Sequence, residues 1–274
     1  MNTTLSAAIS RHAGKQAPAL LKHLDAAGIT DWQDLTKSHL FDFRDALIDE
    51  VATSSARTYL AVLKAVLSRF EDEVNFCREY REIFHVKNEK PVKTYLTVAE
   101  LKRLEGVEVR SGIELQVKYQ FLIGAYTGMR ISDIRAVTEE NVRDGQLSYV
   151  SKKTAVHAVV PCSERVQGYI KWVQTNEQDI TLAGYNTAIR RLCQRAGITA
   201  RVKVYKAGAS LAGEKWQFVS SHTARISFCT NLADLHVPLL DISRMAGHTS
   251  TSMTERYVVN TKINLPQAAL KYFA

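Results

Sequence analysis

Five residues between positions 130 and 257 of this 274-residue chain have the types and spacing needed to handle a phosphate. Arg130 stands in Thr127-Gly-Met-Arg130, His222 and Arg225 stand three apart, and Tyr257 follows His248 by nine residues. A guanidinium stays protonated at any working pH and donates paired N–H bonds, so it suits a phosphodiester that gains charge as it is attacked. A phenol, with a pKa of about 10 in reference peptides, needs a cationic site or a base before it can act as a nucleophile. Imidazole is the side chain that most readily carries such a proton. Singly, each residue has an ordinary explanation: a surface cation, an incidental i, i+3 pair on a helix, a tyrosine ring packing an apolar surface.

The elements that must position them read as helices with one or two small hairpins. Helix Glu114–Thr127 runs into Gly128, and three consecutive helices are expected over His222–Leu235, Pro238–Ala246 and Thr251–Val258, with Pro238 at a start and Gly247 at an end. Gln146–Val150 and Ala155–Val160 are β-prone runs separated by Ser151-Lys152-Lys153-Thr154, the pattern of a hairpin. Thr97 and Glu100 have the capping-box spacing and open a helix toward Gly106. Further helices are expected over Glu164–Thr175 and Tyr185–Ala196, and residues 201–219 hold a second small hairpin.

Upstream, residues 1–85 read as a small helical bundle, with amphipathic runs over Ala17–Ala27, Ser38–Glu50 and Ser55–Val74. In the third run Tyr59, Leu60, Leu63, Val66, Leu67 and Phe70 form a buried stripe, with Ser54 or Ser55 as N-cap. Arg57, Lys64 and Ser68 line its other face, either as solvated residues or as contacts to a DNA backbone. Residues 86–94, with four charges and Pro91, read as an unpacked linker before a larger domain over 95–274.

Composition narrows the class. At 46% hydrophobic, 23% charged and 8% aromatic, the chain reads as a globular protein rather than a fibre or a disordered tract. Its longest uncharged stretch, Tyr119–Met129, is far short of the ~20 residues that span a bilayer, so a cytoplasmic protein without a membrane partner is expected. The four cysteines, 85, 31 and 36 residues apart, make neither a zinc motif nor a disulfide framework. Residues 1–90 carry 12 Lys and Arg against 13 Asp and Glu, a net of −1, and residues 91–274 carry 24 against 15, a net of +9. A cationic field confined to the part that holds the five residues points to a polyanionic partner.

Taken in order and spacing, TGMRISD, SHTAR, AGH and TERY resemble the active-site pattern of the tyrosine recombinase, or phage integrase, family. That pattern has an arginine in T-G-x-R, a lysine on a β-hairpin, H-x-x-R, a Gly-His some two dozen residues on, and a tyrosine nine later. Asp133 stands where the family carries an acidic residue, and the likeness covers about residues 95–260. The resemblance implies a mainly α fold: a helical core-binding domain and a larger α-rich catalytic domain with a small β-hairpin, closing on DNA as a C-shaped clamp.

It also implies roles. Tyr257 is the nucleophile that forms a 3′-phosphotyrosyl intermediate, Arg130 and Arg225 clamp the phosphate, His222 handles the phenol's proton, and His248 hydrogen-bonds the phosphate. The hairpin lysine that protonates the departing 5′ oxygen matches Lys153, with Lys152 as a phosphate contact or as the alternative acid. No metal or other cofactor is expected, because the bond energy is kept in the tyrosyl ester.

The partners implied are double-stranded DNA at a specific core site and three further copies of the chain in a cyclic tetramer, with an accessory DNA-bending protein as an optional addition. The apolar tail, residues 265–273, is expected to dock on the neighbouring copy. Nothing before residue 15 has room for an additional arm-binding domain, so the protein is expected to work from core sites alone or the chain is a piece of a longer one. The wording of the motifs favours an integrase of a phage or other mobile element in a bacterial host. The alternatives are an Xer-type resolvase or invertase, a type IB topoisomerase, and a DNA-binding architectural protein without catalysis.

Overall fold

The computed structural model describes residues 3–86, 93–206 and 209–259, and the chain divides into two compact units, one of residues 1–91 with 205–210 and one of residues 92–204 with 211–274. The expected tail at 265–273 and most of the expected linker lie outside the described residues. Among the described residues no helix is long and apolar enough to cross a membrane.

The first unit is helical: α1 (Leu5–His12), α2 (Ala17–Ala26), α3 (Lys37–Glu50), α4 (Thr53–Arg69) and the short α5 (Tyr80–Ile83). One core holds it together, with Leu20, Leu24, Leu40, Phe43, Leu60, Leu63 and Leu67 all almost fully buried. Two expectations are corrected. Helix α4 stops at Arg69 instead of continuing to Val74, because the chain turns at Phe70 so that its ring packs against Trp32 at 5.2 Å. Its N-cap is Ala52, without a side-chain cap, in place of Ser54 or Ser55. The polar face is also less free than the sequence suggests: Lys64 Nζ donates to the Arg81 carbonyl at 2.8 Å, and Ser68 accepts from Arg81.

The second unit is mostly helical too. It contains α6 (Val98–Glu105), α7 (Gly112–Thr127), α8 (Ile131–Ile134), α9 (Glu164–Asn176), α10 (Leu182–Arg195), α11 (Ser221–Asp234), α12 (Leu239–Ala246) and α13 (Thr251–Glu255). Strands β1 (Val142–Arg143), β2 (Gln146–Val150) and β3 (His157–Pro161) make one antiparallel sheet in sequence order, and β4 (Arg201–Lys206) pairs with β5 (Ala209–Glu214). The expected hairpin is therefore the β2–β3 pair, in register from Gln146 opposite Pro161 to Val150 opposite His157. Thr97 and Glu100 form the expected capping box at the start of α6.

Helices α7 and α11 pack against each other as the axis of this unit, and both are buried over most of their circumference. Such helices carry no clean amphipathic stripe. Cys162, Cys193 and Cys229 are buried free thiols. Helix α13 ends two residues before Tyr257, shorter than the expected run to Val258, so the tyrosine sits in a turn beyond the helix.

Candidate active site

Construction of the site begins at Gly128. Helix α7 closes there with a left-handed residue, φ +74°, a conformation that L side chains adopt at a cost. A Cβ at this position would lie 2.6 Å from the Phe228 ring of α11, so glycine is needed for space as well. The turn presents the Gly128 carbonyl to Arg225, whose Nη1 donates to it at 2.6 Å, and leads directly into Arg130 at the N-cap of α8.

Arg130 and the hairpin turn are joined through Asp133. Arg130 Nη1 donates to Ser151 Oγ at 2.9 Å, Ser151 Oγ donates to Asp133 Oδ2 at 3.2 Å, and the Lys152 amide donates to Asp133 Oδ1 at 3.0 Å. Asp133 is only 3% exposed, so these bonds replace its lost hydration and hold the hairpin against α8. Thr154 extends the tie, donating from Oγ1 to the Gly247 carbonyl at 3.3 Å. Gly247, φ +62°, ends α12 and delivers His248, whose amide bonds to the Ser243 carbonyl at 2.9 Å.

Tyr257 lies among these groups. Its ring centroid is 4.7 Å from that of His248 and 5.1 Å from that of His222. The Arg225 guanidinium stands 5.3 Å from the ring centre and Lys93 Nζ 5.1 Å. His248 Nδ1 is hydrogen-bonded to the Thr254 hydroxyl at 2.9 Å, and Thr254 also accepts the Tyr257 amide through its carbonyl at 2.8 Å. Of the residues expected from sequence, Arg225, His222, His248 and Tyr257 form one contiguous cluster, and the Arg130 charge acts on three of them, His222, Arg225 and His248. Lys152 and Lys153 are both exposed on the β2–β3 turn, and Lys153 adds to the positive charge acting on His222. Arg57 and Lys64 belong to the first unit.

The cluster is short of acceptors. Arg225 is 1% exposed, yet its Nε and Nη2 have no hydrogen-bond partner; His248 Nε2 and Tyr149 Oη are buried and unpartnered as well. Burial, then the Arg225 and Arg130 charges, depress His248 to a pKa of about 3. Burial, then Arg225, Lys93, Arg130 and Lys153, depress His222 to about 4. Burial also pushes the Tyr149 phenol up to about 12. Both imidazoles are thus neutral at ordinary pH, and in the tautomer whose Nδ1 accepts from Thr254, Nε2 of His248 carries a proton for an incoming acceptor. Buried donors with nothing to donate to are costly, and a bound anion with several oxygens removes that cost.

Sequence reasoning overlooked Lys93, Ser151, Tyr149 and Thr254. Ser151 adjoins the turn lysines and Tyr149 points inward by strand alternation from the exposed Val150, signals that reading the hairpin face by face would have used. Lys93 was assigned to an unpacked linker; the structure corrects this, since the residue is half-buried against the tyrosine segment.

A phenol, two guanidiniums and two imidazoles gathered in one place are the kinds of group that phosphoryl transfer onto tyrosine requires. Residues 94–263 match the phage integrase family model, and the chain belongs to that family. It is 25% identical over 252 residues to the tyrosine recombinase XerD of Haemophilus influenzae, covering 85% of this chain and 84% of the relative. The fold is similar to that of a Tn1549 transposon integrase solved with a circular intermediate DNA, with a TM-score of 0.72 at 15% identity, covering 99% of this chain and all of that one. It is also similar to a lambda integrase solved as a tetramer on a Holliday junction, with a TM-score of 0.65 at 13% identity, covering 96% of this chain and 80% of that one. The protein is a tyrosine-type site-specific DNA recombinase, an enzyme of DNA cleavage and rejoining.

Proposed function

We propose that the chain acts at a specific core site to move a phage or other mobile element in the cytoplasm of a bacterial host, using Tyr257 as nucleophile. The observation that carries this reading is the Tyr257 ring within 5.3 Å of His222, His248 and the Arg225 guanidinium, beside donors that lack acceptors. Tyr257 Oη bonds to phosphorus as the bond from phosphorus to the 5′ oxygen breaks, and the phenol's proton passes to neutral His222. Arg130, Arg225 and His248 Nε2 hold the nonbridging oxygens, where charge accumulates in the transition state. Lys153 protonates the departing 5′ oxygen. Its turn is held by Asp133 through the Lys152 amide, while the Lys153 ammonium acts on His222, which favours Lys153 over Lys152 as the acid. A 5′ hydroxyl from a second duplex then reverses the step, so no external energy source is consumed.

The first unit serves as the core-binding domain, with Arg57 and Lys64 on the face offered to the DNA backbone, and the second unit as the catalytic domain. Four copies assemble on two duplexes, each tail (residues 265–273) docking on a neighbour, and a DNA-bending protein assists where the core sites are far apart. The likeness to the XerD relative over most of both chains supports a second reading, an Xer-type resolvase.

The test is selection of bound duplexes from a random library, followed by incubation of two labelled copies of the selected site. Paired half-sites flanking a short spacer, and exchanged labels, are expected. Relaxation of supercoiled DNA lacking the site, with no exchange, would assign a topoisomerase instead.

A further inference from the structure

Lys93 has neighbours that its place in the chain does not explain. Its Nζ donates to the carbonyl of Arg256 at 2.5 Å, 163 residues away, and the same atom lies 5.1 Å from the centre of the Tyr257 ring. Arg256 is the C-cap of α13, where a lysine can satisfy an orphan carbonyl and the negative end of the helix. Among the described residues no carboxylate is within ion-pair distance of Lys93, although it is half-buried and shares its surroundings with Arg225 and Arg130. Burial and the Arg256 charge hold its pKa below the usual lysine range. A cation so placed costs folding energy that only an anion, a hydrogen bond or a helix C-terminus offsets, and here the acceptor is the Arg256 carbonyl.

The segment it grips carries Tyr257 and is also held by α11. Thr230 Oγ1 of α11 donates to the Tyr257 carbonyl at 3.2 Å and accepts the Val259 amide at 3.1 Å. Thr230 fixes the chain at and after the tyrosine, and Lys93 fixes it just before. Without Lys93 the tyrosine follows a five-residue helix whose last turn has lost a cap.

We propose that Lys93 is a positioning residue for cleavage: it anchors the Arg256 carbonyl and holds a cation against the Tyr257 ring, keeping the nucleophile in line with the phosphate. This rests on the reading of Tyr257 as nucleophile. Lys93 is distinct from the acid on the hairpin turn, because its Nζ is committed to the nucleophile's own backbone.

The test uses the full chain and a nicked duplex carrying the half-site, with single-turnover rates of covalent adduct formation at saturating DNA. Lys93→Met should slow the adduct by about 10–100-fold, the scale of a nucleophile displaced by ~1 Å, with half-site affinity unchanged. Lys93→Arg, which keeps a donor and a charge, should restore most of the rate. A 5′-bridging sulfur should leave Lys93→Met slow. In the free protein, Lys93→Met should speed hydrogen exchange at the Val259 amide. An unchanged rate, a loss of affinity that accounts for the lost rate, rescue by sulfur, or unchanged exchange at Val259 would each overturn the proposal. If the wild type forms no adduct at all, the recombinase reading fails, and the exchange measurement still decides whether Lys93 anchors the segment.

Discussion

The carboxylate of Asp133 accepts the backbone amide of Lys152 at 3.0 Å, so the acidic residue three positions after Arg130 fastens the hairpin turn that carries both candidate acids. Its second oxygen accepts from Ser151, which in turn accepts from Arg130. One buried carboxylate therefore sets the distance between Arg130 and the turn that carries Lys152 and Lys153.

Asp133→Asn should lower the cleavage rate more than it lowers DNA affinity. An amide can accept one of the two bonds but turns an N–H toward the other donor, leaving a buried group unsatisfied at about 1–3 kcal/mol. Urea denaturation and single-turnover cleavage measured together check both halves of this expectation.

Arg225→Met should separate stability from activity. The arginine is buried with one bond to the Gly128 carbonyl, two unpaired nitrogens and no carboxylate partner among the described residues, so an apolar side chain of similar length removes a desolvation cost that exceeds the one bond lost in the free protein. Removal of one transition-state donor costs about 10²–10³-fold in rate, or ~3–4 kcal/mol. Thermal melting should show a Tm equal to or above that of the wild type, and added sulfate should raise the wild-type Tm more than the variant's.

His222 and His248 titrate at about 4 and about 3 in the folded chain, below the ordinary 6.5. A depressed imidazole means that the unfolded chain binds more protons, so this contribution to stability is complete above pH 6.5 and falls as the pH drops toward 4 and then 3. His222→Gln and His248→Gln should each flatten the acid limb of stability against pH, read by denaturant melts between those limits. An unchanged acid limb in both variants would show that other groups set it.

Gly128→Ala should destabilise the catalytic unit and distort the site together. The new methyl would meet the Phe228 ring at 2.6 Å, at a φ of +74° where alanine is strained, and the Gly128 carbonyl that holds Arg225 would move. A loss of several kcal/mol, in the range of overpacked cores combined with backbone strain at ~1–3 kcal/mol each, should appear in calorimetry. Gly145→Ala, also at positive φ but facing open space, is the control with the smaller loss.

What the sequence made legible follows from the range of the interactions involved. The Thr97–Glu100 capping box, the glycine stop at Gly128 and the β2–β3 hairpin are local, and each has a short motif as its signature. The cluster of Arg130, His222, Arg225, His248 and Tyr257 was legible through order and spacing, although the contacts that assemble it span long stretches of chain. The end of α4 at Phe70 depends on Trp32, and the packing of Lys93 depends on Arg256; neither partner leaves a periodic trace. Helix α1 went unread because it is short, and its Leu5, Ala8 and Ile9 are recognisable as a buried face only once the rest of the bundle is present.

The central claim is that Tyr257 forms a covalent bond to DNA. The most direct measurement is incubation of the chain with a nicked half-site duplex, which lets the freed strand diffuse away, followed by denaturing electrophoresis and mapping of the modified residue. The wild type should give an adduct that survives denaturant, with the modification on Tyr257, and Tyr257→Phe should give none. An adduct of equal yield with Tyr257→Phe, or one mapped to another side chain, would contradict the account.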